Sequence, residues 1–185
     1  MHVEVIRKDI QFVPDPSRII PRFLYTTESR SLEIVKAVLA MPEAEVNNAL
    51  NPLLRDFSTR HRNITRIFEK HFDKLAPIFT LLEIDVNELS YSQKTLIGSY
   101  FTMEYSIESA AFYNPSVMED PDQSEIGQDE KRVIFSFRAT GEGHISSIVF
   151  RTGVLDRDNN LLLEPVGKLL AEADVIKQHV YHKNT

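Results

Sequence analysis

Val133-Ile-Phe-Ser-Phe-Arg138 and His144-Ile-Ser-Ser-Ile-Val-Phe-Arg151, joined by Ala139-Thr-Gly-Glu-Gly143, decide the fold class. Both runs are rich in β-branched and aromatic residues, and Gly141 and Gly143 permit the positive φ that a hairpin turn demands. Downstream, Val154-Leu155 and Leu161–Leu163 flank the polar turn Asp156–Asn160 and supply a further strand or two. The expectation is an antiparallel β-meander. Lys168–Thr185 reads equally as helix or extended chain. Immediately upstream, Met118–Arg132 holds six acidic residues, Glu119, Asp120, Asp122, Glu125, Asp129 and Glu130, and reads as a solvated loop.

Ahead of Pro115 the hydrophobic period is helical. Leu32, Val35, Val38 and Leu39 predict a helix over Ser29–Ala40, interrupted by Met41-Pro42. Pro42 suits the first position of a second helix, which carries Val46, Leu50, Leu53 and Leu54 and has Pro52 as an internal fault that should kink or divide it. Ile64, Ile67, Phe68, His71, Phe72 and Leu75 make the stripe of a third helix, ending near Pro77. A capping box at Ser90-Tyr91-Ser92-Gln93 opens a fourth, whose apolar residues Leu96, Ile97, Tyr100, Phe101, Tyr105, Ile107 and Ala111 continue to Asn114-Pro115. Residues 3–12 alternate loosely and read as an extended segment ending at Pro14 and Pro16.

These readings give an α+β chain in two parts. Residues 1–112 form a bundle-like helical region with a short N-terminal extended segment; residues 113–185 form the small meander and a C-terminal segment. A small meander leaves two edges open and one face uncovered. Either the helices cover that face, or further strands complete the sheet and the chain is the front of a longer protein.

Composition removes several function classes. Of the 185 residues 21 are Lys or Arg and 27 Asp or Glu, a net charge of −6, which disfavours nonspecific nucleic-acid binding. With 42% hydrophobic residues the chain can build a core, yet no apolar run approaches the ~18 residues of a membrane span. The absence of cysteine removes disulfides, thiolate zinc sites and thiol nucleophiles, and suits a reducing, cytoplasmic location.

Few constellations suggest chemistry. Arg60, Arg62 and Arg66 belong to the basic stretch FSTRHRNITR and could receive a phosphate or carboxylate; pairing with the acidic excess is the plainer reading. Glu104 and Glu108 fall one turn apart on the expected fourth helix, the spacing of an acid and base pair or of partners for those arginines. His71, on the apolar stripe of the third helix, reads as a hydrogen-bonded core histidine. His61 and His71 are too far apart to share a helical turn, His179 and His182 lie near the terminus, and no metal site is expected. Gly141-Glu142-Gly143 lacks the pattern of a phosphate cradle, and no serine has a nucleophile's context.

Ala111-Phe-Tyr-Asn-Pro-Ser-Val117, followed by Phe135-Ser-Phe-Arg-Ala-Thr-Gly-Glu-Gly-His-Ile-Ser-Ser-Ile148, resembles the opening of glycoside hydrolase family 130, the mannoside phosphorylases and mannosidases. FSTRHRNITRIFEKHF and GSYFTMEYSIESAAFYNPS further resemble the long bacterial members with a helical N-terminal extension. The resemblance implies that the meander is the first blade of a five-bladed propeller. It also implies that Asn114 and Arg138 help form the sugar subsite beside the scissile bond, with His144 and Ser146 as weaker substrate-binding candidates. The family's catalytic Asp and phosphate-binding residues lie in later blades, and no catalytic residue is assigned in this chain. By the same resemblance the chain is an N-terminal fragment of a carbohydrate-active enzyme, inactive alone, its ligand a mannoside or related oligosaccharide. No cofactor is implied, although inorganic phosphate would be co-substrate of a phosphorolytic parent. A homo-oligomer is compatible with the reading. The competing expectation is a stand-alone helical interaction or oligomerisation module offering Phe68, Phe72, Tyr100 and Phe101 to a partner.

Overall fold

The computed structural model describes residues 5–167 and 169–170. The chain enters through a non-regular segment and forms β1 (Ile19–Phe23). Five helices follow: α1 (Glu28–Leu39), α2 (Glu43–Ser58), α3 (Ile64–Asp73), α4 (Ala76–Leu81) and α5 (Tyr91–Tyr100). The chain then returns as β2 (Thr102–Ser106), which pairs antiparallel with β1. The helices are thus one long excursion between two strands of a ribbon. The later described residues form a four-stranded antiparallel meander, β3 (Ala111–Glu119), β4 (Lys131–Thr140), β5 (Ser146–Leu155) and β6 (Leu161–Leu163), in sequential order. The α+β class and the strands β4 to β6 agree with the sequence reading, whereas β3 takes the place of the end of the expected fourth helix and, with the start of β4, shortens the expected loop Met118–Arg132 at both ends. The readings of Lys168–Thr185, His179 and His182 fall outside the described residues or rest on them.

Local chemistry explains most helix boundaries. Thr27 caps α1 by accepting from the Arg30 amide, and the Ser90–Gln93 box is complete, with Gln93 N–H donating to Ser90 Oγ at 3.1 Å and Ser90 N–H to Gln93 Oε1 at 3.0 Å. Pro42 sits at the N-cap of α2, one position before its expected place. Pro52 does not divide α2. Asn48 and Pro52 are both exposed, on the solvent side of the helix, where a carbonyl without its helical N–H partner costs least. Pro77 lies in the first turn of α4, where a proline costs no hydrogen bond.

Two expectations fail at the end of the helical region. The fourth expected helix stops at Tyr100 because Phe101, Met103, Tyr105 and Ile107 alternate, and β1 offers that alternation a hydrogen-bonding partner. Glu104 therefore lies on a strand and Glu108 in the turn before β3, not on one helical face. The expected boundary at 112/113 likewise falls inside β3. The N-terminal residues 5–12 make no strand, although Phe12 reaches the sheet and packs on Phe135 and Phe137.

Two apolar cores result. In the helical one Val35, Val38, Val46, Leu50, Phe72, Leu75, Phe79, Leu96, Ile97 and Phe101 pack together. Gly98 lets α5 touch α3, since a Cβ there would fall 2.0 Å from the Phe68 carbonyl oxygen. In the second, Tyr105 and Ile107 of the ribbon side meet Phe137, Ala139 and Val149 on the inner face of the meander. The outer face carries Met118, Ile148, Phe150 and Leu162, all exposed, Ile148 by 65% and Phe150 by 59%.

Candidate functional site

On β4 the inward residues Val133, Phe137 and Ala139 are buried, so the alternation sends Arg138 and Thr140 outward. Across the β4–β5 ladder Thr140 pairs with Ser146, and across β3–β4 Tyr113 pairs with Arg138. Between Tyr113 and Ser116 the β3 register slips by one residue. That bulge sits at Asn114-Pro115: Asn114 adopts left-handed backbone, φ 51°, which asparagine tolerates, and Pro115 has no N–H to lose on an edge strand. The bulge re-aims Asn114 toward the same corner of the sheet.

The turn opposite is built from two successive left-handed residues, Gly143 with φ 60° and His144 with φ 61°. Gly141 is extended, with φ −94°, so only one of the two glycines expected to supply positive φ does so. Gly141 is required for another reason: a Cβ there would lie 2.4 Å from the Ser106 carbonyl oxygen and 2.5 Å from the Tyr105 hydroxyl.

These elements border an open surface cavity of about 380 Å³ lined by Tyr113, Asn114, Arg138, Thr140, His144 and Ser146. All four residues singled out in the sequence as substrate-binding meet there, and Tyr113 and Thr140 join them. Arg138 Nε donates to Ser146 Oγ at 3.0 Å, which orients the guanidinium along the cavity wall. An amide, a guanidinium, an imidazole and three hydroxyls supply donors and acceptors in several directions, beside a tyrosine ring that is 51% exposed. None of the six lining residues is a carboxylate. Tyr113 and Thr140 were not read from the sequence; their signals were the position before Asn-Pro and the ladder position opposite Ser146.

Of the arginine trio, Arg60 is already paired. Arg60 Nε is 2.8 Å from Glu104 Oε1 and its Nη2 is 3.2 Å from Asp56, while its guanidinium lies 5.1 Å over the Phe57 ring. His61 Nε2 contacts the same Glu104 oxygen at 2.7 Å. Burial works to raise the Glu104 carboxyl, but the hydrogen bonds from Arg60 and His61 overcome it and hold the group below the ordinary carboxylate range. Arg60 is thus engaged, whereas Arg62 and Arg66 are exposed.

Glu108 serves a separate purpose. Fully buried, it contacts Arg151 Nη2 at 2.5 Å and accepts from the Asp15 amide at 3.1 Å. Arg18 Nε lies 2.7 Å away as a close ionic contact without an aligned N–H. This cluster ties the entry segment, the β2–β3 turn and β5 together. His71 is the core histidine expected. Its Nδ1 meets Thr102 Oγ1 at 2.7 Å, and because Thr102 gives its own proton to the Gly98 carbonyl, His71 Nδ1 is the donor. Burial, aided by Lys74 and Lys70, pushes its pKa down to about 4.

Among the described residues no group of three or more His, Cys, Asp or Glu could hold a metal ion, and no helix is long and apolar enough to cross a membrane. No protein-family model, curated protein or solved structure matches the chain.

Proposed function

We propose that this chain is the N-terminal part of a mannoside phosphorylase or glycosidase-like enzyme, and that the cavity between Asn114 and Arg138 is one wall of its sugar subsite. The observation that carries the reading is the meeting of Asn114 from β3, Arg138 from β4, His144 from the turn and Ser146 from β5 in one cavity. Planar amide and guanidinium groups pair with neighbouring sugar hydroxyls, and an exposed tyrosine ring gives the C–H face of a pyranose an apolar surface. Further support comes from the sheet: a four-stranded antiparallel meander is the form of a propeller blade. Beside the polar cavity the outer face exposes Met118, Ile148, Phe150 and Leu162, apolar residues that an adjoining blade would cover.

Glycoside cleavage by the usual route needs two carboxyl groups flanking the bond, and the cavity lining holds none. The chain by itself therefore binds without turnover, and inorganic phosphate or water enters only with the remaining catalytic machinery. The cysteine-free composition favours a cytoplasmic setting for the parent enzyme. The rival interaction-module reading loses its proposed surface, because Phe68, Phe72 and Phe101 are core residues and only Tyr100 of that group is exposed.

The test is a titration of the protein with β-1,4-mannobiose followed by backbone amide shifts. Saturable shifts at residues 113–114, 138–140 and 144–146, with a Kd on the order of 1 mM, are expected for an isolated subsite. Arg138→Ala should remove them while leaving the fold intact. Shifts scattered elsewhere, or none for any mannoside, would reject the proposal.

A further inference from the structure

We propose that Tyr105 is the positioning residue of this cavity, so that the strand ribbon flanking the helices sets the geometry of the sugar wall. The inference rests on the cavity being a ligand site, and its test separates the two claims. Tyr105 is only 4% exposed and lies on β2, outside the meander. Its hydroxyl is shared between two loop carbonyls, Glu142 at 2.9 Å and Ile145 at 3.3 Å. Those carbonyls bracket Gly143 and His144, the two left-handed residues.

The loop's own bonds are few: the Gly141 amide donates to the Ile145 carbonyl at 2.9 Å, and the Ile145 amide to the Glu142 carbonyl at 3.3 Å. A non-glycine residue in left-handed backbone persists when its surroundings over-determine it. Here Tyr105 supplies that constraint. Neighbouring contacts agree in direction, for the Ser106 amide donates to Glu142 Oε2 at 3.4 Å and Gly141 packs directly against Tyr105 and Ser106. The Arg22 guanidinium lies 4.9 Å over the Tyr105 ring and steadies it from β1. Since His144 and Ser146 leave this loop on the cavity side, a hydroxyl that never touches ligand governs where two of its lining residues stand.

Tyr105→Phe removes the hydroxyl and keeps the ring in the core. Two readouts are taken on the 185-residue protein: the three-bond amide coupling of His144, which reports φ, with amide exchange at Gly141 and Ile145; and affinity for β-1,4-mannobiose. The expected result is a coupling averaged away from left-handed backbone, faster exchange confined to residues 141–146, and a tenfold or greater loss of affinity, with the remaining amide spectrum unchanged. An unchanged His144 coupling overturns the inference whatever happens to binding. So does a loosened loop with unaltered affinity. If the wild-type protein binds no mannoside while the loop loosens as expected, the carbohydrate reading falls and Tyr105 keeps its hold on the loop.

Discussion

His71 and Glu108 show how single buried groups carry obligations. The His71 ring is neutral inside, with a pKa of about 4 against 6.5 when free. Between pH 6.5 and about 4 the unfolded chain binds a proton that the folded chain refuses, so stability falls as pH falls through that window and is fully present above it. The loss amounts to about 3 kcal/mol across the window. Urea unfolding at several pH values should show it, and His71→Leu should flatten the slope by that amount; parallel curves for the two proteins would contradict the assignment. Glu108 is the opposite case, a charge that must stay. Glu108→Gln leaves Arg18 and Arg151 facing an uncharged group in a buried site, and denaturation should report a loss of about 3–5 kcal/mol. A loss under about 1 kcal/mol would mean that the cluster does not lock the entry segment to the sheet. His71 was legible in the sequence because its neighbours Phe68 and Phe72 share its stripe. Glu108 was not, since both its partners come from distant segments and a local spacing of four pointed to Glu104 instead.

At the level of elements, the junction of α5 and β2 decides the architecture. Leu96, Ile97, Tyr100 and Phe101 keep helical spacing, and Phe101, Met103, Tyr105 and Ile107 keep strand spacing, so one apolar series can be read with either period. The capping box fixes where the helix begins, but its end depends on β1, whose sequence IIPRF hides behind Pro21. Pro21 is tolerated because it lies in a two-stranded ribbon, where only one side of each strand is paired. Strands β4 to β6 of the meander were readable because each pairs with a neighbour in sequence; β3 was not, since Ala111 continued a helical apolar series and Met118-Glu119 opened an acidic stretch. Helix contact has its own test: Gly98→Ala drives a methyl group into the Phe68 carbonyl, with a resulting loss of about 2 kcal/mol or more in thermal or urea unfolding. An unchanged midpoint would show that α3 and α5 can separate freely.

For the molecule as a whole, the ribbon that brackets the helices meets the meander beside the cavity lined by Asn114, Arg138, His144 and Ser146. β2 closes the ribbon that opens before the helices, packs its Tyr105 against the sheet core, and lies directly under the loop that carries His144. Four of the six cavity residues, Asn114, Arg138, His144 and Ser146, were singled out in the sequence, through the resemblance at the Asn-Pro step and the arginine of the following strand; Tyr113 and Thr140 were not. The meeting of the six was not legible, because it depends on a bulge at Asn114-Pro115 and a turn held from another sheet. On the proposed function this corner reads carbohydrate hydroxyls, and a crystal structure of the protein grown with β-1,4-mannobiose puts that to the sharpest test. The expected result is a sugar ring in the cavity with hydroxyls on the Asn114 amide and the Arg138 guanidinium and its C–H face toward Tyr113. A cavity left without sugar at saturating mannobiose, or a sugar bound only on another surface, would contradict it.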